Sequence, residues 1–251
     1  LLTSTKCSVV STRYVQVSGD KMLNARENQA VGYRLIPSKY PTIDLFDDVL
    51  NPEDFEVMYQ LQALTNPRIR DEVGDVSLIK PEEIPYHCER ERGRSYAVAA
   101  FTHINRDGSR FADGSFGMLY IGDTEQTALK EVMYHQRKYW TDVNGLHYDR
   151  LVFRALRFTF DDDKVIDVCD KPMTDPIYDL IDYSAAQTLG RQVRQDDTLT
   201  GIRYNSVRNE KGSCWAMSTP QVVSDVIQCF HAEMIWNGKE ISQVEKIYSM
   251  A

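Results

Sequence analysis

Four short segments carry side chains of the kinds that do chemistry. They are Tyr33-Arg34, Gly108-Ser109-Arg110-Phe111, Tyr120 with Thr127-Ala128-Leu129-Lys130-Glu131, and Gly201-Ile202-Arg203-Tyr204-Asn205-Ser206-Val207-Arg208. All four fall around loops and element ends rather than at core positions. Arginine is a planar fork of donors that suits paired phosphate oxygens better than lysine does. Glu131 stands near the edge of a helix's apolar face, where it can point into a cleft. Each residue taken singly also has an ordinary explanation. Arg34 and Arg110 can be surface ion pairs, Glu131 an i,i+4 partner of His135 or a solvated helical glutamate, and Ser206 a strand-end serine. Tyr120 reads equally well as a core tyrosine, and Tyr33 as a packing residue.

Other chemistries find less support. No Ser-His-Asp set surrounds Ser206, so it is not read as a hydrolase nucleophile. The five cysteines, Cys7, Cys88, Cys169, Cys214 and Cys229, form no Cys-x-x-Cys pair, and buried free thiols in a reducing compartment are expected. The five histidines include no His-x-x-x-His, so no metal site is expected. The net charge of -8 comes without a basic patch or tail, which argues against direct DNA binding. No apolar run approaches the roughly 20 residues of a membrane helix. Leu1 to Lys21 lacks the pattern of a signal peptide, so a cytoplasmic location is expected.

The elements that must position these residues follow from local patterning. The chain has 251 residues and 42% hydrophobic content, enough for one large domain or one domain with an insertion. Residues 1–30 read as a loosely ordered arm. Gly32 to Ile36 predicts a short strand ended by Pro37. Asn51 or Asp54 caps a predicted helix through Phe55, Met58, Leu61 and Leu64, and Arg68 to Tyr86 reads as an irregular, proline-punctuated excursion. Tyr96, Val98 and Ala99-Ala100-Phe101 suggest a buried strand, and Met118 to Ile121 another. Asp123-Thr124-Glu125-Gln126 resembles a capping box with Asp123 at the N-cap. It opens a helix to about Trp140 that buries Ala128, Leu129, Val132, Met133 and Trp140. Arg150 to Phe160 and Lys164 to Val168 predict strands, and Tyr183 to Arg194 a helix. Cys214 to Met217 and Val222 to Phe230 are further strands. Asn237-Gly238 between strand-like runs signals a type I′ hairpin. The sum is α+β.

Together, and in this order, the four segments resemble the RES domain, named for its Arg, Glu and Ser. That family has an early strand with arginine, a Gly-x-Arg-aromatic loop, a strand tyrosine before a helix reading Thr-Ala-Leu-x-Glu, and a Gly-Ile-x-Tyr-x-Ser-x-Arg segment. The order holds from about Gly32 to Ala216, and a longer subgroup also carries a segment like Pro41 to Phe101. One departure is Arg110-Phe111-Ala112 in place of the commoner Arg-Trp-Asn, so any contact made by the usual asparagine is not carried over.

The resemblance implies an ADP-ribosyltransferase-like core of short, mostly antiparallel strands with a few helices, over residues 31–251, with a subgroup insertion at about 41–94. It implies a toxin that depletes NAD by cleaving the nicotinamide–ribose bond, as a glycohydrolase or phosphorylase. Arg110, Glu131 and Ser206 are then catalytic, and Arg34, Tyr33, Tyr120 and Arg208 bind NAD. NAD is the substrate and no prosthetic group is expected. An Xre-like antitoxin whose C-terminal part enters or covers the cleft is the implied partner, and the toxin–antitoxin complex allows a homo-oligomer. Three other readings stay open: transfer of ADP-ribose to a protein or nucleic acid, a secreted antibacterial effector, and an inactive partner-binding module.

Overall fold

Alternating apolar and polar residues build one twisted sheet, and the three helices described pack on its two faces. The protein is seen here as a computed structural model that describes residues 29–38, 74–88 and 93–248. Its strands are β1 (Gln29–Pro37), β2 (Leu119–Gly122), β3 (Asp149–Asp161), β4 (Val165–Asp167), β5 (Gly201–Asn205), β6 (Ser213–Met217), β7 (Val223–Trp236) and β8 (Ile241–Ile247). The helices are α1 (Arg94–Thr102), α2 (Glu125–Asp142) and α3 (Ser184–Gln195). The eight strands lie in the order β4-β5-β6-β2-β1-β3-β7-β8. Neighbours are antiparallel except β4 and β5. This is the expected α+β class. None of the described helices is long and apolar enough to cross a membrane.

The sheet has two halves. In one, β1, β3, β7 and β8 pair over long registers, Gln29 to Pro37 against Phe153 to Asp161 among them. In the other, β2, β6, β5 and β4 pair over shorter ones. The two halves meet through the register pair Tyr33↔Gly122.

The period of two along each strand separates the core. Leu119, Ile121, Trp215 and Met217 pack on one face with Val98 and Phe101 of α1. Their sequence neighbours Cys214 and Ala216 pack on the other, with Phe111, Ile202, Tyr204 and the α3 residues Ala186 and Val193. A third cluster joins Ala128 and Trp140 of α2 to Leu35, Phe153, Phe230 and Trp236. Leu129, Val132 and Met133 pack against it, as the helical period predicts. Trp140 closes this cluster: its ring stacks on Trp236 at 5.7 Å and its indole N–H donates to Asp149 at 2.6 Å.

Four local expectations are corrected. Residues 94–102 form helix α1, not a strand. Ser95, Val98 and Thr102, with Ala97 and Phe101, are its buried positions, a three-to-four residue spacing, and alanine favours a helix. The N-cap of α2 is Thr124, whose Oγ1 accepts from Thr127 N, while the Asp123 carboxylate bridges the Thr127 hydroxyl and the backbone of β6. The strand expected to end at Phe230 runs on to Trp236, with a bulge at Cys229 where Ala155 pairs with Phe230 and Leu156 with Gln228. The 236–241 connection is a hairpin but not type I′, because Gly238 alone has positive φ. Asn237 instead accepts from Lys239 N and Glu240 N. The predicted helix at 51–65 and the arm before Gln29 lie outside the described residues; β1 begins at Gln29, inside the span read as arm.

The packing predicts that Trp140→Ala destabilises the protein by about 3–5 kcal/mol, since it opens a large cavity and leaves Asp149 without its donor. Urea unfolding of the two proteins measures this. A loss below about 1 kcal/mol would mean that Trp140 does not hold α2 to the sheet.

Candidate functional site

Arg110, Tyr120, Glu131, Ser206 and Arg208, singled out by type and spacing, come together beside the α2 and α3 clusters on one face of the sheet. Ser206 follows β5 and opens a tight turn that returns at Gly212, since Ser206 N donates to Gly212 O at 2.9 Å. Within that turn the Ser206 hydroxyl oxygen accepts from Arg208 N at 3.1 Å and from Asn209 N at 3.0 Å. Both acceptor positions are thereby taken. The single hydroxyl proton goes to Glu131 Oε1 at 2.6 Å, the length of a charge-assisted bond. Ser206 is buried and Glu131 half-buried. Among the described residues Ser206 is the one hydrogen-bond partner of this carboxylate, so Oε2 keeps its acceptor capacity.

Arg208 completes this corner. Its guanidinium lies over the Tyr134 ring, 3.3 Å from the centroid, one turn of α2 beyond Glu131. It makes no hydrogen bond or ion pair among the described residues, so its donors are unspent. Cys214 and Tyr204 stand close enough to feel the Glu131 charge. Burial first, and that charge with it, pushes both far above their ordinary values, so they stay protonated beside it. A thiol so held is no nucleophile.

Arg110 reaches the site from the loop after α1. The loop is fixed from two sides. Tyr120 OH accepts from Phe111 N at 3.0 Å and bonds Ser109 Oγ at 2.7 Å. Gln187 of α3 donates to Ser109 O at 3.1 Å. Phe111 is buried edge-on against Tyr204 at 4.8 Å, and Ala112 is buried behind it. Asp113 ties the loop to Arg191 at 2.9 Å, and its bonds from Ser115 and Arg191 pull its carboxyl down to about 2. A depressed carboxyl stabilises the fold above its ordinary range and loses that effect only as pH falls through about 2, so this tether persists at neutral and mildly acid pH.

Among the described residues the hydrogen-bond partners of Arg110 are neutral. One terminal nitrogen donates to the Ile177 and Asp179 carbonyls, both at 2.9 Å, and the guanidinium stacks on Tyr183 at 4.9 Å. Arg110 thus clamps the 177–183 segment while its remaining donors stay free of hydrogen bonds among the described residues. Arg34 is similar: its guanidinium donates to the Tyr120 carbonyl at 3.0 Å, across the junction of the sheet halves. Burial lowers its proton affinity, and Tyr120 raises it again. Arg34, Arg110 and Arg208 have no carboxylate partner among the described residues, so the surface ion pairs weighed from sequence are absent there. In a chain of net charge -8 these three arginines thus stand outside ion pairs among the described residues. Tyr33 packs beside Leu35 in the cluster under α2. The hydroxyl of Tyr120 is committed to the arginine loop, and burial pushes it above its ordinary value.

Sequence reasoning missed the supports. Tyr134, Tyr183, Gln187 and Asn209 carry no motif of their own, and Asp123 signals only a helix cap. Asn209 had one readable signal, the Ser-x-x-Asn spacing of a side chain bonding a backbone N–H three residues on.

Two comparisons bear on this arrangement. The family model for the RES domain matches residues 84–237. That span takes in Arg110, Tyr120, Glu131, Ser206 and Arg208, and begins after Tyr33 and Arg34. An uncharacterized protein y4oC from Sinorhizobium fredii is 27% identical over 212 residues, 84% of this chain and 84% of its own length.

The bond directions here rank two variants. Ser206→Ala removes the acceptor of two N–H groups and should cost about 1–3 kcal/mol. Glu131→Gln keeps an oxygen for the hydroxyl to reach and should cost less than about 1 kcal/mol. Chemical unfolding of both reads the order, and the reverse ranking would mean the Ser206 hydroxyl is not the hub of this turn.

Proposed function

The chain belongs to the RES domain family, and from that membership we propose that it is a toxin that depletes NAD by breaking the nicotinamide–ribose bond. The observation that carries this reading is the Ser206–Glu131 pair at 2.6 Å, its second carboxylate oxygen open, within a group of arginines that lack acidic partners. Cleaving a glycosidic bond develops positive charge on the sugar. A carboxylate held in place before the reaction stabilises that charge more than it stabilises the ground state. The C–N bond breaks, nicotinamide leaves neutral with the bonding pair, and water or phosphate adds at the vacated ribose carbon.

Each side chain then has a task. Glu131 faces the developing cation through its open oxygen. Ser206 orients Glu131 and does not attack. The substrate's diphosphate falls to Arg208 and to the free donors of Arg110. Arg34, with one donor committed to the Tyr120 carbonyl, adds charge and holds the sheet junction. Tyr120 contributes by fixing the loop that presents Arg110, because its hydroxyl is already engaged. A chain that consumed NAD unchecked would harm its own cell. The reading therefore includes an Xre-like antitoxin whose tail offers carboxylates or carbonyls to the same arginines.

Incubating the purified protein with NAD, with and without phosphate, and following free nicotinamide tests the reaction. Release by the wild type is expected, with a loss of about a hundredfold or more in Glu131→Gln. Faster release with phosphate identifies phosphorolysis, and equal rates identify water. Folded wild-type protein that leaves NAD intact in both would overturn the reading, and label retained on macromolecules in a lysate would make it a transferase instead.

Nicotinamide riboside, which lacks the diphosphate, should be turned over at least about a hundredfold less efficiently than NAD, since two charge-assisted hydrogen bonds are lost. Comparable kcat/KM for the two substrates would remove Arg110 and Arg208 from the binding site.

A further inference from the structure

The proton of Ser206 reaches Glu131 only because both acceptor positions of the hydroxyl are filled, and one of the two groups filling them belongs to Asn209. Asn209 is tied on every side. Its N–H donates to Ser206 Oγ at 3.0 Å, and its carbonyl accepts from Gly212 N at 2.8 Å. Its side chain leaves the turn and grips helix α2: Nδ2 donates to Thr127 Oγ1 at 2.8 Å, and Oδ1 accepts from Lys130 Nζ at 3.1 Å.

The orientation of that amide is dictated from further back. Thr127 is fully buried, and its single hydroxyl proton goes to Asp123 Oδ1 at 2.6 Å. Toward Asn209 it can therefore only accept, which assigns the amide nitrogen to Thr127 and the amide oxygen to Lys130. Asp123 is fixed in turn by Ser213 N at 2.9 Å, at the start of β6. The turn lies tight against this chain of bonds. A side chain at Gly212 would overlap the Thr127 hydroxyl and the Asn209 amide.

Asp123, Thr127 and Asn209 thus form one proton-ordered relay from β6, through α2, to the two backbone N–H groups under Ser206. We propose that Asn209 is a positioning residue for Glu131: it holds the 206–212 turn on α2 so that the acceptor sites of Ser206 are filled and its hydroxyl proton is directed at the carboxylate. This deepens the functional reading, since it gives Glu131 its orientation, and it rests on that reading only for its kinetic consequence.

The test combines a signal that needs no substrate with one that does. With carboxyl-13C glutamate in the protein, the Glu131 side-chain resonance at neutral pH reports the hydrogen bond from Ser206. Asn209→Ala should move it in the same direction as Ser206→Ala, and the double variant should move it no further. Thr127→Val, which breaks the relay on the helix side while leaving the residues of the turn unchanged, should move it likewise, and Thr127→Ser, which restores the hydroxyl, should return it. In NAD turnover, Asn209→Ala should lower kcat about tenfold with little change in KM, and the Ser206→Ala/Asn209→Ala pair should lose no more than Ser206→Ala alone. An unmoved resonance in both Asn209→Ala and Thr127→Val, or effects that add to those of Ser206→Ala, would overturn the proposal. A resonance that moves as expected in a protein that leaves NAD intact would overturn the functional reading and keep the role of Asn209.

Discussion

A serine hydroxyl has one proton to give and two positions at which it can accept. In this protein the acceptor positions of Ser206 are filled by the backbone N–H groups of Arg208 and Asn209, and the proton is left for Glu131. The rest of the site is arranged around that allocation. The turn that supplies the two N–H groups must be tight, so it closes on Gly212. It must also be held to the helix that carries Glu131, so Asn209 grips Thr127 and Lys130. The same turn sets Arg208 over Tyr134, one turn along from the carboxylate. A negative charge and a positive charge are thereby held close to each other by bonds made to other groups.

The arginines share a second device. Each is held by neutral partners: one carbonyl oxygen for Arg34, carbonyls and a tyrosine ring for Arg110, a tyrosine ring for Arg208. Carbonyl and ring contacts fix a guanidinium without cancelling its charge. An ion pair would have fixed it equally well and left nothing for an anion. This is how a chain with an acidic balance can keep guanidinium groups open to an anion beside Glu131.

Tyr120 joins these arrangements to the fold. Its backbone carbonyl receives Arg34 at the junction of the sheet halves, and its hydroxyl receives the loop that carries Arg110. One residue of a four-residue strand thus sets the spacing between an arginine on β1 and an arginine on a loop about 75 positions later in sequence. The match to the RES domain begins at residue 84, yet β1 is built into the middle of the sheet. The folded unit is therefore larger than the matched span, and Arg34 belongs to it.

Sequence alone determined a good deal. The order of motifs identified the family, local patterning drew β3 and β6, and the apolar spacing of α2 named its buried face. These are local properties, written in side-chain alternation and in residues whose type is chemically constrained. It also picked out Arg110, Glu131 and Ser206. Their distances, and which group gives its proton to which, were decided only by the tertiary structure. A hydroxyl's direction depends on every donor around it, and the donors of Ser206 come from a turn whose anchors lie on a helix some 80 residues earlier. The short apolar run at 95–101 misled for a related reason. Its length fits a strand or a helix, and only packing against β2 and β7 selects the helix. Tyr33 and Arg34 are neighbours in sequence, but adjacent strand residues face opposite ways. That Tyr33 takes the α2 side while Arg34 reaches the Tyr120 carbonyl is a fact about the assembled sheet.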